Sequence, residues 1–201
     1  MQVPENTEAS NIGSVVFTDA DLNDVHQVTV DDSRFEVING MLALKPGVTI
    51  DHESEDTIPL QITVTDSAGV AAVHEFIIDI TDVNEAPSLQ DPQQKIDSET
   101  GTESFSFTVP TELFFDVDGD QLIISASLAN GSPLPSWIEF DAENLIFNVS
   151  EDINVFDQTA SVMLTATDPN GLSTTSNVFD IKVEPPIAAA CLLYTSDAAD
   201  E

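Results

Sequence analysis

The sequence predicts an all-β protein built as two tandem β-sandwiches, and three observations carry that prediction. Val, Ile and Thr, the residues that suit a pleated half-buried surface, make up about a quarter of the chain. Short segments in which apolar and polar residues alternate recur throughout, and Gly, Pro and Asn turns separate them. The whole pattern then runs a second time, about a hundred residues further on.

In the first half the strand segments are, in order, Ser14–Thr18, His26–Val30, Phe35–Ile38, Leu42–Lys45, Pro59–Asp66 and Val73–Thr81. Asn39-Gly40, Pro46-Gly47 and Ser67-Ala68-Gly69 punctuate them as turns. The second half offers Phe105–Val109, Leu122–Leu128, Trp137–Phe140, Leu145–Val149, Ser161–Asp168 and Asn177–Val183, with turns at Asn130-Gly131 and Pro169-Asn170-Gly171. No segment sustains a 3.6-residue period with helix caps. Six or seven strands per hundred residues describe an immunoglobulin-like sandwich. The duplication rests on three anchors at a nearly constant offset: Asp19 with Asp116, Asp66-Ser67-Ala68-Gly69 with Asp168-Pro169-Asn170-Gly171, and the closing strands around Asp79 and Asp180. The predicted domains are 1–87 and 88–185, followed by 186–201 as a linker remnant and tail.

The last eleven residues, from Cys191, break the pattern. They hold the only Cys and the only Tyr and show no alternation. The string resembles one translated frame of a transposon-end adapter used in sequencing-library preparation. On that reading it is foreign to the fold, and the expectation is a frame that ran off a DNA fragment, a piece of a longer protein.

Charge excludes several classes of partner. The chain carries 37 Asp and Glu against 4 Lys and Arg, a formal net charge of −33. Arg34, Lys45, Lys95 and Lys182 are scattered, whereas a phosphate-binding surface needs clustered cations, so nucleic acid and anionic membranes are excluded as direct partners. With 41% hydrophobic residues the chain can nonetheless build packed cores. No apolar stretch approaches the roughly 20 residues of a membrane span, so direct lipid insertion is not expected.

Catalysis finds no foothold in the motifs. His26, His52 and His74 are the only histidines, and there is neither a GxSxG elbow, nor an HExxH pair, nor a Gly-rich phosphate loop. Trp137, flanked by apolar residues, reads as a core side chain rather than a sugar platform. The expectation is a non-enzyme.

What departs from a plain acidic surface is the placement of carboxylates at segment ends. Glu5, Asp19 and Asp21, Asp51 and Glu53, Asp66, then Asp82, Asn84 and Glu85 all flank strands, and strand-flanking loops of a sandwich gather at its two poles. Carboxylates crowded within about 5–8 Å repel one another. A hard divalent cation with six to eight oxygen ligands relieves that conflict; Ca²⁺ fits better than Mg²⁺, which demands a near-ideal octahedron and keeps its waters. In the second half Asp116-Val117-Asp118-Gly119-Asp120 reads either as such a site or as a plain acidic turn. It is not an EF-hand, because the Gly and the twelfth-position Glu are misplaced.

Pro4-Glu5-Asn6, Asp19-Ala20-Asp21, Asp51-His52-Glu53, Thr65-Asp66 and Asp82-Val83-Asn84-Glu85-Ala86-Pro87 resemble, in that order, the calcium motifs of a cadherin repeat. His52 stands where that family usually has Arg, and Glu85 where it has the second linker Asp. The second half is similar to a dystroglycan-type cadherin-like, Ig-like domain, on Phe105–Pro110, Phe115–Asp120, Pro133–Asp141, Thr167-Asp168 and Val178–Val183. It lacks the acidic pair and the linker motif at its far end.

The resemblance implies a joint between repeats built from Glu5, Asp51, Glu53, Asp82, Asn84, Glu85, Asp116, Asp118 and Asp168, holding at least two Ca²⁺ ions. Asp19, Asp21 and Asp66 would serve the opposite pole, toward an upstream repeat. Two functions follow. One is a calcium-stabilised extracellular adhesion or spacer module of a larger secreted or cell-surface protein, as in large bacterial surface adhesins, with calcium and neighbouring repeats as partners and a surface protein or polysaccharide as target. The other is an accessory spacer or polysaccharide-binding module of an extracellular hydrolase. The first repeat lacks an N-terminal Trp exchange strand, which weighs against homophilic binding.

Overall fold

A computed structural model describes residues 1–8, 11–20, 24–91, 96–97, 99–101, 104–150 and 157–184. Asp21, Lys95 and the tail 191–201 lie outside the described residues. The chain divides into two compact units, Met1–Asn84 and Glu85–Glu201. Every element in the described residues is a strand, so no helix is long and apolar enough to cross a membrane.

Unit 1 contains β1 (Gln2–Pro4), β2 (Asn11–Ser14), β3 (Gln27–Val30), β4 (Phe35–Ile38), β5 (Met41–Leu44), β6 (Thr57–Thr65) and β7 (Ala71–Thr81). One sheet has the order β1-β7-β6-β3 and the other β2-β5-β4. All pairings are antiparallel except β1 on β7, which is parallel with Val3 opposite Ile80. Alternation decides which side chains enter the core: Ile58, Leu60 and Ile62 of β6 and Ile78 and Ile80 of β7 point inward, where they meet Val3, Phe35, Leu42, Leu44 and Ile50.

Unit 2 contains β8 (Ser88–Leu89), β9 (Glu99–Gly101), β10 (Phe105–Thr108), β11 (Phe114–Phe115), β12 (Ile123–Leu128), β13 (Ile138–Asp141), β14 (Ile146–Val149), β15 (Gln158–Thr167), β16 (Ser173–Thr175) and β17 (Phe179–Val183). The large sheet runs β12-β15-β17-β9 with β16 also on β15; β10-β14-β13 forms the second, and β8 pairs with β11. Val162, Leu164, Ala166, Ile181 and Phe147 are all essentially inaccessible to solvent. Phe147 anchors this core, with ring centroids 4.6 Å from Phe140, 5.2 Å from Phe107 and 5.7 Å from Phe179. Such offset and edge-on pairs add to what area burial supplies. Trp137 is 9% exposed and packs into the same cluster.

The two units share details that independent folds would not need. In each, a short strand runs parallel to the closing strand: β1 beside β7, and β9 beside β17. In each, an Asp holds the same turn. Asp66 Oδ1 accepts the Val70 amide at 2.7 Å, and Asp168 Oδ1 accepts the Leu172 amide at 2.8 Å. Gly69 and Gly171 complete these turns at φ +85° and +95°, a region that glycine enters without a steric penalty. The spacing recognised in the sequence is thus one turn made twice.

The strand expected over 14–18 is displaced. β2 ends at Ser14, Val15 makes one last backbone bond to Gly40 O at 2.8 Å, and Val16 and Phe17 turn outward. An open groove of about 670 Å³ remains there, lined by Val15, Phe17, Leu42, Ile62, Val64 and Phe76 among others. Five short strands escaped the sequence reading (β1, β8, β9, β11 and β16), because two or three residues are too few to show a period.

Candidate metal centres

Among the described residues, two carboxylate-rich places stand in unit 1 and one in unit 2. The first is built around Glu5, which is only 1% exposed. Its placement is backbone work: the Glu5 amide donates to Thr81 O, and the Asn6 amide to Ile50 O, with Asn6 in the left-handed region at φ 56°. The carboxylate then accepts two amides, His52 N at 2.7 Å on Oε2 and Val83 N at 2.8 Å on Oε1. One buried side chain thereby ties the start of the unit to the 51–54 turn and to the chain leaving β7.

Asp51 shapes that turn. Its Oδ1 accepts Glu53 N at 3.1 Å and its Oδ2 accepts the Ser54 hydroxyl at 2.9 Å. The Ser54 hydroxyl is the main reason its carboxyl sits below the usual range. Glu53 is thus presented toward Glu5, and Glu5, His52, Glu53 and Asp82 each offer one ligand atom within 4.8 Å of the others. Asp51 is not among them; it positions the turn.

His52 Nδ1 lies 3.1 Å from Glu53 Oε1. The Glu53 hydrogen bond raises the His52 pKa above its ordinary value, burial opposes the shift, and the charges of Asp82, Glu53 and Glu5 add to the rise. The imidazole is responding to a surplus of negative charge gathered at one end of the sandwich.

The second place joins Asp19, Asp24 and His26, again within 4.8 Å. His26 Nε2 is 2.8 Å from Asp19 Oδ2, a bond that raises the His26 pKa. Asp24 accepts the Ser67 hydroxyl, which lowers its own pKa. Asp66, in the neighbouring turn, is outside this group. Asp24 and His26 had not been marked as ligands in the sequence; the Asp19…Asp24…His26 run was the available signal.

In unit 2 the loop after β11 carries Asp116, Asp118 and Asp120, each with a carboxylate oxygen within 4.8 Å of the other two. Gly119 at φ +76° lets the chain turn there, and its amide donates to Asp116 O at 3.2 Å. Asp116 is 9% exposed; its Oδ1 accepts the Asp118 amide at 3.1 Å, while Asp118 Oδ2 accepts the Glu85 amide at 2.9 Å. The remaining oxygens, Asp116 Oδ2 and Asp118 Oδ1, are buried and have no hydrogen-bond partner among the described residues. Asp168, 3% exposed, belongs to its own turn and not to this group.

A buried carboxylate oxygen without a donor is costly, and anionic ones more so than neutral ones. Donors made wholly of carboxylate oxygen suit a hard cation such as Ca²⁺ better than a thiophilic metal. Both the orphaned oxygens and the ligand chemistry therefore fit calcium at the Asp116 loop, and the Glu5–Glu53–Asp82 set fits it with His52 alongside.

Residues 86–184 match the family model described as "Putative Ig domain". Among solved structures, the chain is similar to human protocadherin-24 EC1-2 (Form II) at 22% identity and TM-score 0.65, covering 92% of this chain and 94% of that one. Mouse cadherin-23 EC22-24 aligns at 18% identity and TM-score 0.59, and the chain spans 92% of itself and 62% of that segment. The human desmocollin-1 ectodomain aligns at 15% identity and TM-score 0.56, with 39% of that chain covered. At these identities the likeness is one of fold. No curated protein sequence matches.

Proposed function

From residues 86–184 as an Ig-like domain and a chain with the fold of cadherin ectodomain repeats, we propose that the protein is a calcium-stabilised extracellular module. It would act as an adhesion or spacer segment of a larger secreted or cell-surface protein. The observation that carries the reading is the pair of buried, unpartnered carboxylate oxygens on Asp116 and Asp118. Glu5, almost fully buried in a second carboxylate group, supports it.

Bound Ca²⁺ supplies two positive charges and a demand for six to eight oxygens. Glu5, Glu53 and Asp82 would meet that demand in unit 1, and Asp116 and Asp118 in unit 2, with Asn84, Glu85 and Asp168 as further oxygen donors. Asp51 would be a further ligand, besides holding the turn that aims Glu53. Asp19 and Asp66, with Asp21 between them in sequence, would serve a second cation position toward a preceding repeat. The chain passes from one carboxylate group to the other within three residues: Glu5 holds the Val83 amide and Asp118 holds the Glu85 amide. Neutralising each group removes the like-charge repulsion within it, and metal binding then contributes to the stability of each unit. The expected behaviour is a flexible pair without calcium and a stiff one with it.

Small-angle scattering of the chain in calcium and in chelator tests this. The distance distribution is expected to narrow and its maximum to change when calcium is added. Superimposable curves in the two buffers overturn the proposal.

A further inference from the structure

Three Asn-Gly pairs occur in the sequence, Asn39-Gly40, Asn130-Gly131 and Asn170-Gly171, and all three Asn side chains sit in exposed turns. In such a pair the glycine nitrogen can reach the Asn side-chain amide carbon, because no Cβ on the glycine blocks the approach. The three turns do not offer that nitrogen equally. The Gly131 amide donates to Leu128 O at 2.8 Å, and the Gly171 amide to Asp168 O at 3.2 Å. Asn130 is itself held, since its Oδ1 accepts the Ser132 amide at 2.9 Å. Among the described residues the Gly40 amide has no acceptor, and the Asn39 side chain makes no hydrogen bond.

Asn39 and Gly40 form the two-residue connection between β4 and β5, at φ 52° and 75°. Positive φ at both central residues is the tight hairpin turn that Asn-Gly favours. Ile38 pairs with Met41 across it, and the fully buried Leu42 follows. The Gly40 carbonyl also receives the Val15 amide at 2.8 Å.

We propose that Asn39 is a site of spontaneous deamidation and isoaspartate formation in the folded protein, ahead of Asn130 and Asn170. The Gly40 nitrogen gives its proton to solvent base and bonds to Asn39 Cγ. The Cγ–Nδ2 bond breaks, ammonia leaves, and a cyclic succinimide remains. Water then opens the ring at one of its two carbonyls. Attack at Cγ frees an ordinary Asp side chain; attack at the main-chain carbonyl carbon leaves the chain running through Cβ and Cγ as isoaspartate. Either product adds a negative charge to the turn. The isoaspartyl product also lengthens the backbone of a two-residue turn, so it strains the Ile38–Met41 register and the bond from Val15 to Gly40 O.

The experiment incubates the full chain at mildly alkaline pH, in native buffer and in guanidinium, and follows each Asn by digestion and mass spectrometry. Isoaspartate is read separately by methyl transfer from an isoaspartyl methyltransferase. Wild type is compared with Asn39→Gln and Asn130→Gln, each checked first for a native melting curve. In native buffer, product is expected to accumulate at position 39 severalfold faster than at 130 or 170, and Asn39→Gln is expected to lose this fast phase while Asn130→Gln keeps it. In guanidinium the three positions should react at similar rates. A folded chain in which Asn39 reacts no faster than Asn130 or Asn170 overturns the proposal. A preference for position 39 that persists undiminished in guanidinium also overturns it, because the flanking sequence and not the turn would then select the site.

Discussion

Replacing Glu5 by Gln separates a structural from a metal-binding role at the first carboxylate group. Glu5 accepts two backbone amides, one on each oxygen, at 2.7 and 2.8 Å, and is 1% exposed. Gln can accept on one side only, so whichever way it turns, an NH₂ group faces an amide donor. An unsatisfied buried donor costs about 1–3 kcal/mol. Against this, Gln removes repulsion with Glu53 and Asp82, whose ligand atoms lie within 4.8 Å. Those partners are exposed, so the interaction is close to its value in water, about 1 kcal/mol per pair. In chelator the two effects nearly cancel, and the melting temperature is expected to move by only a few degrees. In calcium the variant also loses a ligand. Calcium at a hundredfold excess over its dissociation constant stabilises by about 2.7 kcal/mol, so losing the ion altogether costs at most about 10–20 °C for a unit of this size. The assay is calorimetric melting of both proteins in chelator and in millimolar Ca²⁺. Equal shifts in the two buffers refute the reasoning, because they would make Glu5 a structural carboxylate and nothing more.

Other consequences are more local. Phe147, wholly buried against three other Phe rings, should cost about 3–5 kcal/mol when truncated in Phe147→Ala; urea unfolding followed by Trp137 fluorescence reads this loss. Gly69→Ala and Gly171→Ala should each destabilise by about 1–2 kcal/mol from the left-handed backbone alone, since nothing lies within 4 Å of an added Cβ. Unequal penalties in denaturant melts would contradict a shared turn. Arg34 hydrogen bonds hold Asp32 below the usual carboxylate range. A depressed acid contributes stability that is fully present above about pH 4 and lost as pH falls through its folded value. Asp32→Asn should therefore flatten the acid limb of the stability profile, and an unchanged limb would remove this pair from the account.

The long strands were legible because burial on one face forces alternation, and Pro59–Asp66 and Ser161–Asp168 show it plainly. The short edge strands β1, β9 and β16 were not, since their places depend on a partner strand and not on their own pattern. The displaced segment at Val15–Thr18 shows the opposite failure: it is apolar and β-branched enough to read as a strand, but β2 ends at Ser14 and Val16 and Phe17 are exposed. Among the acids, Glu5, Glu53 and Asp82 were recoverable because ordered motifs mark them. Asp51 was placed at the same end of the sandwich, and what the sequence did not show is that its oxygens also hold the 51–54 turn. Asp24 and His26 were missed because the motifs marked Asp19 and Asp21 alone, although the Asp19…Asp24…His26 run was there to be read. Asp120 was seen as part of an acidic turn, and only the backbone reversal at Gly119 gives it a common focus with Asp116 and Asp118.

The net charge of −33 argues against nucleic acid and anionic lipid as partners, and on the proposed reading the groups at Glu5 and Asp116 would give part of that charge a cation to hold. A calorimetric titration of the chelator-treated chain with Ca²⁺ tests this most directly. The account predicts saturable binding of at least two ions per chain, reversed by chelator. A flat titration through millimolar Ca²⁺, with the melting temperature unchanged, would contradict it.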